Sequence, residues 1–243
     1  MTGPMGSYSE VIFGRKRLPA RALLCAGVYT PQRKNLVRKS FRGWDRVKGN
    51  WIKYAFGNVL GKDFLVIFGI YGAAMTLETV QLLRDGGVRS LFFVGSMYAK
   101  KLPVGSIAIP IEAQDNAGVM TLDDPTTTHA IPDRRILDYT RSELRRRDID
   151  FTEGRVSSVP AVLHGIVHIV DSVRQDERVI GHEMEVSTFL HFTRKHSMRA
   201  GALLYVSDNE RHSIISSAKG PTTARRKALR AVSSVAVSVL RHF

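Results

Sequence analysis

Apolar residues in this chain cluster in short unbroken runs, separated by segments in which they recur at helical spacing. "RALLCAGV", starting at Arg21, reads as a buried strand ending in glycine, and "DFLVIFG" (Asp63–Gly69) as a second. "SLFFVGS" (Ser90–Ser96) is a third, followed closely by "SIAIPI", and "AGALLYVSD" (Ala200–Asp208) is the last. Between them, Ala73, Leu77, Val80 and Leu83 share one helical face, and Gly86-Gly87 ends that helix. A second helix is expected from about Val186 to His196. A third opens at Pro221, with Ala224, Ala228, Val232, Val235 and Val239 on one stripe.

Strands apolar throughout, alternating with helices, imply an α/β fold whose sheet is covered on both faces. We expect a single domain over residues 18–243, built on a central mixed, mostly parallel sheet flanked by helices. Residues 1–17, small, polar and basic, read as a loose lead-in. Neither a repeat nor a linker divides the remainder.

The 243 residues are 44% hydrophobic, ample for a packed core, and no apolar run reaches the roughly 18 residues of a membrane span. No signal peptide is evident. The one cysteine, Cys25, excludes an internal disulfide framework and suits a reducing, cytoplasmic setting. No clean metal-ligand spacing appears among the eight histidines, so no metal is expected. The net charge of +14 favours anionic partners. It is spread over Arg33–Lys48, Arg134–Arg147 and Arg225–Lys227 without interleaved aromatics, which fits a small anionic ligand better than nucleic acid.

In open α/β sheets the ligand sits beyond the carboxyl ends of the strands. Those ends carry Gly27, the turn Gly69-Ile70-Tyr71-Gly72, Gly95-Ser96 and Ser207-Asp208. Just before the second helix stands "GHEMEVS" (Gly181–Ser187), two carboxylates around a methionine. They could complement the helix dipole, or hold a hydroxylated ligand, since an ionised carboxylate only accepts hydrogen bonds. In a helix, residues two apart point about 200° away from each other. Glu183 and Glu185 should therefore divide the work, Glu183 packing or capping.

Together, "GIYGAAMTLETVQLLRDGGVRSLFFVGSMYAKKLPVGSIAIP" and "GHEMEVSTFLHFTRKHSMRAGALLYVSDNE" resemble the nucleoside phosphorylase/nucleosidase superfamily, in the branch of hexameric purine nucleoside and uridine phosphorylases. The resemblance spans roughly residues 20–240 and is most specific in the pairing of "EME" with "VSD". It implies cleavage of the N-glycosidic bond of a ribonucleoside with phosphate as nucleophile, with purine favoured and uridine possible. Carried over residue by residue, Met184 and Glu185 bind the ribose, and Asp208 is the acid that meets the departing base. Ser96 lies at the sugar and the phosphate, Tyr98 lines the base slot, and His164 is a candidate for the base-stacking segment. Gly27, Arg33 and Lys48 are candidates for phosphate binding, Lys48 across a subunit interface. The resemblance implies no metal or organic cofactor and suggests a homo-oligomer, from dimer to hexamer.

The pattern also breaks. The family's phosphate-binding arginine before "VGS" is Phe93 here, and the aspartate of its first phosphate loop is missing, so Arg33 matches only if that loop is longer. Nothing acidic occurs between Ala20 and Phe41, where the nucleosidases place their water-activating glutamate. A water-using nucleosidase and a catalytically degenerate nucleoside-binding protein therefore remain alternatives.

Overall fold

The computed structural model describes residues 8–161, 176–211 and 222–243. Four strands make the centre of the sheet: β1 (Arg21–Ala26), β4 (Lys62–Ile70), β5 (Ser90–Tyr98) and β10 (Arg199–Asp208). β1 lies between β4 and β5, and β10 follows on β5, all parallel. Their unbroken apolar runs follow from cover on both faces. Leu23, Phe92 and Val94 enter one core with Val235 and Val239, while Leu24, Phe93 and Met97 enter the other with Val80 and Phe189.

Two sets of helices provide that cover. α2 (Pro31–Arg38), α5 (Arg134–Arg146) and α7 (Thr222–His242) pack on the first face. α1 (Tyr8–Phe13), α3 (Ala73–Asp85) and α6 (Val186–Lys195) pack on the second. Every residue of α6 from Val186 to Leu190 is buried, because the sheet curves around it.

That curvature comes from strands with weaker sequence signals. β6 (Ile107–Asp115), β8 (Thr152–Ser158) and β9 (Val179–Glu183) continue from β10, and β9 returns to β5 through the single pair Tyr98–His182. Since β10 also pairs β5, five strands close into a ring. On the far side, β3 (Lys53–Val59) forms a hairpin with β4 through Leu60-Gly61, and β2 (Gly43–Trp44) borders it. Both turn residues have positive φ, 51° and 77°, as a two-residue hairpin turn with the right twist requires. β7 (His129–Ala130) adds to β6, and α4 (Val119–Asp123) lies nearby.

The α/β single-domain architecture is as expected, with two corrections. The sheet is mixed, as expected, but not mostly parallel: five described strand pairings are parallel and five antiparallel. Nor is residue 8 onward a loose lead-in, since α1 buries Phe13 edge-on against Tyr54, 5.0 Å between ring centroids. Pro221, expected to open the last helix, lies outside the described residues. Among the described residues, no helix is long and apolar enough to cross a membrane.

Candidate functional site

The carboxyl edge of the sheet gathers most of the residues singled out above. Gly27 leaves β1 at φ +87°, its N–H donating to Ile70 O at 2.6 Å, so the ends of β1 and β4 are pinned together. Gly72 opens α3 at φ +81°, a conformation that side chains rarely adopt. Its N–H is one of the orphan donors of a helix start. It donates 2.7 Å to Glu185 Oε1, from a residue 113 positions along the chain. Met184 covers the same turn: a Cβ on Gly72 would lie 3.7 Å from Met184 Cε.

The two acids of "EME" do divide their work, although not by helical geometry. Glu183 is the last residue of β9, and its carboxylate caps α6, accepting from Glu185 N at 2.6 Å and Val186 N at 2.7 Å. It also accepts from the Ser158 hydroxyl, whose oxygen accepts from Ser187 N. Ser187 in turn donates to Asp115, 3.1 Å away. Glu185 makes no cap bond to its own helix. Among the described residues, besides Gly72 N–H it accepts only a longer bond from Met184 N, at 3.3 Å. A carboxylate offers about four acceptor positions, so Glu185 retains capacity.

Burial raises the titration of both acids. Glu183 is pushed up to about 8, by desolvation first and then by repulsion from Glu185. Glu185 is pushed up to about 7 by desolvation, opposed by the Gly72 and Met184 amides and by the positive charge of Arg33.

Arg33 reaches the same place from the other face. It sits in the first turn of α2, where Thr30 caps the helix by accepting from Arg33 N at 3.1 Å. Its guanidinium lies against Gly27, so a Cβ there would come within 2.6 Å of Nη1. Its Nε and Nη2 are buried with no hydrogen-bond partner among the described residues. Cys25 beneath it is fully buried, its thiol pushed up to about 12 by desolvation despite the Arg33 charge. An inert thiol and an unsatisfied cation thus share one corner.

Asp208 ends β10 at a bulge, with Val206 opposite Met97 and Asp208 opposite Tyr98, which re-aims the strand end. Its carboxylate accepts from the Ser207 hydroxyl. Tyr98 pairs on its other side with His182, the rings 6.3 Å apart and 29° from parallel. Asp208, Tyr98 and His182 therefore form one row, about 10 Å across at ordinary strand spacing. His182 is three residues before Glu185. Both acids of the expected site thus stand on one edge, and neither lines the two open clefts of about 620 and 370 Å³ at the opposite edge. Ser96, by alternation, shares the face of Phe92 and Val94, the side from which Arg33 comes.

Other expected residues are placed differently. Lys48 lies on the exposed rim, tied to β3 by a backbone bridge with Tyr54. His164 lies outside the described residues. Phe93, at the position of the family arginine, is wholly buried, its ring 5.4 Å from Phe189 on α6. Sequence reading missed His182 and Arg225, whose Nε donates 2.7 Å to Ser207 O beside Asp208. Only the "HEME" adjacency could have suggested His182. Among the described residues no three metal-ligating side chains cluster.

The profile of the phosphorylase superfamily matches residues 38–241. Curated protein sequences provide no match. Among solved structures, uridine phosphorylase from Vibrio fischeri superposes with a TM-score of 0.80 at 16% identity, covering 93% of each chain. The 5′-methylthioadenosine/S-adenosylhomocysteine nucleosidase of Campylobacter jejuni gives 0.77 at 10% identity, covering 93% of this chain and all of the other. Futalosine hydrolase of Helicobacter pylori gives 0.73 at 13%, with the same coverage. At such identities these likenesses speak for the fold.

Proposed function

This chain belongs to the phosphorylase superfamily, and within it we propose that the protein binds a ribonucleoside at the carboxyl edge of its sheet and cleaves the N-glycosidic bond with phosphate. Glu185 accepts hydrogen bonds from the vicinal sugar hydroxyls with the capacity that Gly72 and Met184 leave open. Met184 packs on the sugar. Asp208 faces the base, with Tyr98 beside it. A phosphate oxygen attacks C1′, the C–N bond breaks, and its electron pair goes to the base. For a purine, Asp208 donates the proton that neutralises the departing base.

The observation that carries this reading is Arg33. A guanidinium with two buried nitrogens that no described residue satisfies is costly unless an anion completes it. Its charge is felt at Glu185, so an anion held there adjoins the sugar, where a nucleophile must stand. Gly27, lacking a side chain, leaves room beside it. Water as nucleophile has less support: no acid lies between Ala20 and Phe41, and Glu183 is engaged by three donors. One observation favours a binding-only protein, namely the burial of Phe93 where relatives supply arginine. We further read the protein as a cytoplasmic homo-oligomer, with Lys48 on the rim available to a neighbouring subunit's phosphate.

The test is chromatographic release of free base from inosine, adenosine and uridine, with and without phosphate. Phosphate-dependent release, reduced at least about 100-fold by Asp208→Asn for the purines, is the expected result. Equal release without phosphate would establish a nucleosidase. Binding without release would leave only the nucleoside-binding part of the reading.

A further inference from the structure

At the opposite edge of the sheet, where β5 and β10 begin, the chain places a cleft of about 620 Å³, within the range of small-ligand sites. Arg84 at the end of α3, Arg89, Arg199, His196 and Phe243 border it. The two central arginines are held side by side: Arg199 N donates to Arg89 O at 2.9 Å, and Arg199 pairs with Ser90 in register. Among the described residues, neither Arg89 nor Arg199 has a carboxylate within ion-pair distance, and both are exposed. Arg84 has one, Asp85 at 3.6 Å.

Part of this charge has a local use. α3 and α6 both end at this edge, and each helix carboxyl end carries about half a negative charge. Asp85 offsets Arg84, and the two helix ends and the carboxyl group of Phe243 offset part of the charge of the arginines around the cleft. His196 lies among these charges: burial first, then Arg84 and Lys195, hold its imidazole below the ordinary range. An adjoining depression, sharing Arg199 and bordered by Arg134 and Arg194, extends the basic surface. Phe243 offers a flat apolar wall, with the Arg199 and Arg135 guanidiniums 5.9 and 5.8 Å from its ring centre.

We propose that this cleft is a second binding site, for a small ligand carrying two or more linked phosphates, separate from the nucleoside site at the carboxyl edge. Arg89 and Arg199 grip the phosphates as a pair, and Phe243 flanks the remainder of the ligand. A small ligand suits the cleft better than a polynucleotide, because only one aromatic borders it and strand binding needs a series of stacking platforms.

Inorganic tripolyphosphate is the probe, titrated calorimetrically at low ionic strength. Binding at the cleft should persist in Arg33→Ala, whose change lies at the carboxyl-edge anion corner, whatever that corner itself contributes. Arg89→Gln and Arg199→Gln should each weaken binding about tenfold, and melting curves should confirm that these exposed changes leave the fold intact. Unchanged affinity in both single variants overturns the proposal. Loss confined to Arg33→Ala also overturns it, by assigning the anion to the nucleoside site. So does a short single-stranded oligonucleotide that displaces tripolyphosphate and binds more tightly with a steep salt dependence.

Discussion

Glu185→Gln replaces a buried charged acceptor by a neutral amide of the same size. The amide oxygen can keep the 2.7 Å bond from Gly72 N–H, so α3 remains tied to the start of α6. Stability should fall by no more than about 1–2 kcal/mol, since the substitution removes a desolvated charge and gives up only the longer 3.3 Å bond from Met184 N–H to the other carboxylate oxygen. Ligand binding should respond differently. A hydrogen bond to a charged group contributes about 1.5–3 kcal/mol and a neutral one about 0.5–1.5 kcal/mol. Losing that difference at two sugar hydroxyls costs about 2–3 kcal/mol, or roughly 30- to 150-fold in Kd. The assay is calorimetric titration with inosine and 2′-deoxyinosine on both proteins. Wild type should prefer the ribonucleoside, and the variant should lose most of that preference. Equal nucleoside affinity in the two proteins, or an undiminished ribose preference in Glu185→Gln, would refute the assignment of Glu185 to the sugar.

Arg33→Ala should raise the KM for phosphate by about 10- to 100-fold, as expected for losing one or two charge-assisted bonds. Nucleoside affinity should hardly move, and steady-state kinetics at varied phosphate would check both. Stability should fall as pH rises through the range set by Glu185 and Glu183, at about 7 and 8. Both are raised above their ordinary value near 4.5, so their contribution is complete below that value and lost as pH climbs through the folded values. His196, held low by burial, slopes the other way, but only below the ordinary imidazole value of 6.5. Melting temperatures from pH 6.5 to 8.5 should therefore decline, and Glu185→Gln should flatten the decline. Phe93→Ala should cost about 3–5 kcal/mol, on the order of 10 °C in melting temperature, because its ring is wholly enclosed beside Phe189. A near-normal melt would mean that position 93 opens into the site.

The sequence alone determined the layers and most of the elements. β1, β4, β5 and β10 are unbroken apolar runs because they lie between two helical layers, and burial on both faces leaves that mark in composition. The face of α3 was readable from Ala73, Val80 and Leu83, all buried. So was the pairing of the "EME" and "VSD" segments, since each is a local string. The separate duties of Glu183 and Glu185 were legible as well, but on mistaken grounds: helical angle has no bearing when Glu183 ends a strand.

Tertiary structure decided what depends on distant partners. The closure of five strands rests on the single pair Tyr98–His182, which no periodicity announces. Glu185 meets the amide of Gly72, 113 residues away, and Arg33 folds back over Gly27 from the opposite face. Phe93 could have lined a ligand site or filled the core, and the packing of α6 against the sheet chose the core. Side-chain periodicity records which face of an element is buried. Which atoms it is buried against is set only when the elements dock, and at this site that docking decides which polar groups are satisfied and which are left for a ligand.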